Sequence, residues 1–115
     1  MDIEIVRESI SRGRIKEIAQ ATHGDMAKAV VDVERRVMAM GGEMHADAEA
    51  VLLDDGSRQE HLWGINLYPE QSSGDFIEFV SLINIRPGQG NRDMEITDAA
   101  LRDRISTLIQ SLVTA

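Results

Sequence analysis

The sequence predicts an α+β fold, with three helices packed on one face of a mainly antiparallel sheet that contains a three-stranded meander. Three observations predict it. Apolar residues recur every three to four positions in the first third of the chain and near its end, whereas the middle alternates with a period of two. The Asp-Gly step in DDGS divides two alternating stretches as a hairpin turn would. Each apolar stripe needs a second layer to leave water, which sets the helices against the apolar face of the sheet.

In chain order, Ile3, Ile5 and Val6 predict a short strand. Ser9 or Ser11 then caps a helix that carries Ile15, Ile18, Ala19 and Thr22 on one face, and Gly24 supplies the stop. Over 25–40 the β-branched Val30, Val31, Val33 and Val37 would suit a strand. However, Met26, Val30, Val33, Val37 and Met40 are spaced by four and three, and the charged Glu34, Arg35 and Arg36 break strand alternation, so a second helix is expected. Asp25 would be its N-cap, Lys28–Asp32 and Asp32–Arg36 its ion pairs, and Gly41 and Gly42 its end.

From 43 to 53, Met44, Ala46, Ala48, Ala50 and Leu52 alternate with Glu43, His45, Asp47, Glu49, Val51 and Leu53. Ala and Glu favour helices, but the turn that follows and the alternation of Trp63, Ile65 and Leu67 predict two antiparallel strands. A polar loop covers 69–75, and Ile77, Phe79, Ile83 and Ile85 predict the third strand of the meander over 76–85. The glycine-containing loop RPGQGNR leads to a last helix from about Asp98 to Val113, capped by Thr97 or Asp98, with Leu101, Ile105, Leu108, Ile109 and Leu112 inward.

Composition narrows the function. At 115 residues the chain is expected to be a single domain over 1–115. It has no cysteine, which excludes disulfides, thiolate metal sites and a cysteine nucleophile. A net charge of −8 and the lack of a basic stripe argue against nucleic acid and anionic membranes. No signal-peptide pattern and no long apolar run is present, so a cytoplasmic location is expected.

In the strand assignment the polar face of the meander carries His45, Asp47, Glu49, Asn66, Tyr68, Glu78, Asn84 and Arg86. Imidazole with carboxylates can hold a divalent ion or perform acid–base work. A solvated sheet face explains the same residues more simply, since no HExxH spacing is present. In the loop after the third strand, Gly88, Gly90 and Asn91 could turn amides toward an anion, with Arg86 or Arg92 adding a fork of donors. An ordinary strand-to-helix connection is again the simpler account. His23 reads as a solvated helix end and His61 as the start of a strand, while Met26, Met38, Met40 and Met44 read as adaptable core. Ser57 and Ser81 lack a nucleophile elbow.

The segments HADAEAVLLDDGSRQEHLWGINLYP and SLINIRPGQGNR resemble a family of small prokaryotic proteins catalogued only as a domain of unknown function. The resemblance implies a self-contained domain and assigns no activity, cofactor or functional residue. Two functions are carried forward. One is a non-enzymatic binding or assembly module, as a homo-oligomer or with a small-molecule ligand. The other is a small metal-assisted hydrolase using His45 with Asp47, Glu49 or Glu78, and Arg86 against an anionic group.

Overall fold

The computed structural model describes residues 2–72 and 74–115. The opening strand is β1 (Glu4–Val6), and a two-residue strand, β2 (Ile10–Ser11), runs into helix α1 (Arg12–Thr22). Ser11 Oγ accepts the Arg14 amide at 3.0 Å, satisfying a first-turn donor, and Ile15, Ile18 and Ala19 form the buried stripe.

Residues 25–40 correct the expected second helix. They form a hairpin of β3 (Ala27–Asp32) and β4 (Val37–Met40). The charged residues that seemed to interrupt a strand are the turn itself. Asp32 Oδ1 accepts the Glu34 and Arg35 amides, each at 2.9 Å, and Arg36 adopts a left-handed φ of 57°. Asp32 is thus committed to the turn instead of the expected helical ion pairs, and the valines on either side follow their β preference.

The stretch from 43 to 53 corrects the expectation in the opposite sense. It is helix α2 (His45–Asp54), with His45, Ala48 and Leu52 buried at spacings of three and four. Alanine at every second position satisfies a helix as readily as a strand, so the period of two was ambiguous there. The Asp-Gly step ends the helix and does not make a hairpin. Gly56 has φ 108°, and the Gly56 and Ser57 amides reach the Leu53 and Leu52 carbonyls, the double closure of a Schellman cap.

β5 (Leu62–Leu67) is extended as expected, but the third meander strand is reduced to β6 (Ile77–Glu78). Val80 makes one further bridge, to Glu95, and Leu82–Asn84 coil into a 3₁₀ turn in which Ser81 Oγ accepts the Ile83 amide. Of the polar loop expected over 69–75, Ser73 lies outside the described residues. Helix α3 (Ala99–Leu112) is capped by Asp98, and β7 (Val113–Thr114) pairs in parallel with β2.

The main sheet has the order β1-β4-β3-β5-β6, with every neighbouring pair antiparallel. The α+β class, three helices and mainly antiparallel sheet with a meander are therefore present, but the helices divide between its two faces. Ala27, Ala29, Val31, Met38, Met40, Trp63, Ile65 and Leu67 point to the layer of α1 and α3. Val30, Val37, Ala39 and Leu62 point to Ala48 and Leu52 of α2. The α1/α3 side of β3 is wholly apolar, with Ala27, Ala29 and Val31, whereas its α2 side carries Val30 between Lys28 and Asp32. Burying an aliphatic side chain such as Val30 contributes about 1.5–3 kcal/mol, which is what α2 gains by covering the second face.

Candidate functional site

On the α2 face, one end of the sheet is left uncovered by aliphatic side chains. Lys28 on β3 and Asn66 on β5 are paired across the strands there, so their side chains leave the sheet on the same side. The first turn of α2 stands beside them, and the 80–83 segment closes the far wall. The result is a cavity of about 320 Å³ lined by Lys28, His45, Asn66, Ser81 and an apolar ring that includes Met26, Met44, Leu82 and Met94.

Gly64 makes this arrangement possible. A Cβ there would stand 2.5 Å from Ser81 Cβ, so only a bare backbone lets the 80–83 segment lie against β5. Asn84 then takes the place of a missing strand: its Oδ1 accepts the Gly64 amide at 2.8 Å and its Nδ2 donates to the Gly64 carbonyl at 3.0 Å. Both backbone groups of a buried strand residue are thereby satisfied by one side chain.

Two buried polar side chains, those of His45 and Asn66, belong to the cavity lining. The buried His45 ring has Nε2 2.9 Å from the Ile65 carbonyl oxygen, which can only accept, so Nε2 carries the proton. Burial pushes the ring's pKa below its ordinary value, with Lys28 and His23 acting in the same direction; the Ile65 carbonyl and the Asn66 amide oppose them. Asn66 is 6% exposed, and its Nδ2 donates to Glu78 Oε1 at 2.8 Å and to the Val80 carbonyl at 3.2 Å. Those acceptors fix the amide's orientation, since a flipped amide would face oxygen with oxygen. Asn66 Oδ1 is left buried with no donor.

The remaining residues of the expected cluster are dispersed by the α2 helix. Glu49, one turn beyond His45, pairs with Arg86 Nη2 at 3.4 Å in a separate open groove of about 400 Å³. Arg86 also donates from Nε to the Ile83 carbonyl and from Nη1 to that of Gln59, and it lies over the Trp63 ring. Burial lowers its pKa, opposed by Glu49. Its donors are spent on the fold. Asp47 is exposed and lines neither space, whereas Glu78 holds Asn66 and accepts the Tyr68 hydroxyl. Among the described residues no three His, Asp or Glu side chains come together to hold a metal ion.

The 86–92 loop uses most of its amides internally. Those of Gln89 and Asn91 reach the Arg86 carbonyl and that of Gly90 reaches Pro87, with Gly90 left-handed at φ 82°. The buried Asn91 side chain donates to the Asn84, Asp93 and Glu95 carbonyls, so it staples the loop; Gly88 and Arg92 are exposed. Lys28, Met44, Leu82 and Met94 belong to no sequence motif, and what marks three of them is visible only in the fold. Of the five large hydrophobic side chains exposed among the described residues, Met44, Leu82 and Met94 surround this one cavity.

The profile of a family described as "Protein of unknown function (DUF5674)" matches residues 4–112. No curated protein and no solved structure matches the chain.

Proposed function

The chain belongs to this DUF5674 family of proteins of unknown function, and from the geometry at the start of α2 we propose that it is a non-enzymatic binding module for a small, largely apolar ligand with one hydrogen-bond donor. The observation that carries this is the unpartnered Asn66 Oδ1 in the wall of a methionine-rimmed cavity. A buried acceptor left unpaired costs about 1–3 kcal/mol, which a ligand N–H or O–H would recover. At about 320 Å³ the space lies at the small end of ligand pockets, which run from roughly 300 to 1,000 Å³. Methionine side chains are flexible enough to close round an apolar body. No observation favours the hydrolytic alternative, because His45 meets a carbonyl, not a carboxylate.

Thermal-shift measurements with small amphipathic acids, amides and alcohols test this, because a ligand selective for the native state raises the melting temperature. At least one donor-bearing compound is expected to stabilise the protein, and Asn66→Leu to remove the effect. Shifts of equal size in Asn66→Leu, or none with any compound, would overturn the proposal.

A further inference from the structure

The cavity's walls also specify the charge of its ligand, an inference that rests on the binding role just proposed. Helix α2 is ten residues long and is preceded by Met44, whose backbone is extended as an N-cap requires but whose side chain makes no capping bond. The Asp47 amide reaches the Met44 carbonyl at 3.1 Å, which leaves the amides of His45 and Ala46, two residues of the cavity lining, without a side-chain cap at the positive end of the helix. Lys28, in the same lining, forms no ion pair among the described residues. Of the chain's 20 Asp and Glu residues none lines the cavity. Asp47 in the first turn lines a different hollow, with Ile3 and Thr22, and Glu78 is turned to the opposite end of the Asn66 amide.

These features make opposite demands on one small molecule. The helix start and Lys28 call for an anion, whereas the buried Asn66 Oδ1 calls for a donor. An ionised carboxylate next to an N–H or O–H meets both, and its apolar remainder would fill the ring of Met26, Met44, Leu82 and Met94. We propose that the cavity binds a small monocarboxylate bearing an N–H or O–H on the adjacent carbon and a short apolar chain, the chemistry shared by N-acyl amino acids and 2-hydroxy acids.

Titration calorimetry with N-acetyl-leucine, its primary amide, and 2-hydroxy-4-methylpentanoate tests the assignment. Both acids are expected to bind about tenfold more tightly than the amide, since charge-assisted hydrogen bonds are roughly twice as strong as neutral ones. Lys28→Met should reduce the acids toward the amide. Met44→Asp should raise the melting temperature by capping α2 while weakening the acids more than the amide, because the loss of Met44 from the apolar ring affects all three probes alike and only the added carboxylate singles out the acids. Asn66→Leu should weaken all three. Equal binding of acid and amide, or Met44→Asp with undiminished acid affinity, would overturn the anionic assignment and leave the binding role intact. Absence of binding by all three probes would overturn the assignment, and the binding role falls with it only if the thermal-shift series is also blank.

Discussion

Asn66 and His45 divide the work of the cavity between an acceptor without a donor and a ring held neutral. Asn66 is anchored from behind by acceptors that only its Nδ2 can satisfy, which leaves Oδ1 no choice of direction. His45 gives a pH dependence whose sign follows from its depressed pKa. The unfolded ring takes up a proton near 6.5, while the folded ring, desolvated by burial and repelled by Lys28 and His23, does so only at lower pH. Its contribution to stability is therefore complete above pH 6.5 and is lost as the pH falls through the folded value. Thermal melts from pH 7.5 downward should show this decline, and His45→Gln should flatten it; an unchanged slope in the variant would contradict the assignment. Asp55 acts in a separate window. Hydrogen bonds from Arg7 and Arg35 hold its pKa at about 2, so its contribution is lost as the pH falls from 3.8 toward that value. His45 and Asn66 were both legible in the sequence as polar residues on one surface, though through a strand that does not exist. Lys28 was not, because a helical pairing with Asp32 concealed it.

At the scale of elements, β1 and β5 were legible from their short apolar stretches, and α1 and α3 because a 3.6-residue apolar period follows a side-chain cap in each. The two reversals have one physical cause, that side-chain spacing alone cannot separate a helix from a strand when the residues fit both. Asp32 decides the first by drawing the Glu34 and Arg35 amides into a turn. Gly56 decides the second, since a left-handed residue after an Asp closes a helix as well as it turns a hairpin. The early end of β6 was not legible, because the Asn84 bonds to Gly64 that replace the ladder join residues 20 apart. This close crossing carries a prediction. Gly64→Ala forces a Cβ into Ser81 and should destabilise the protein by about 1–3 kcal/mol, the usual cost of overpacking. Denaturant unfolding would show a lower midpoint at an unchanged slope; an unaltered midpoint would mean that the segment does not lie on β5 as described.

Across the whole molecule, α1 and α3 cover one face of the sheet while the shorter α2 covers only part of the other. The space left at the start of α2 becomes the cavity, so the site is a product of unequal layers more than of any local motif. That explains why no motif announced it. The lining, with one lysine and no carboxylate, contrasts with a net charge of −8, since most of the acidic residues lie on the solvated surface and the buried Asp32 is turned into the β3–β4 turn. The most direct measurement is an amide chemical-shift map of the isotopically labelled protein titrated with N-acetyl-leucine. The largest shifts should fall on the backbone amides of His45 and Ala46 and on the Asn66 side-chain amide, with the 86–92 loop nearly unmoved. Shifts centred on Glu49, Arg86 and Gln89, or spread evenly over the surface, would contradict it.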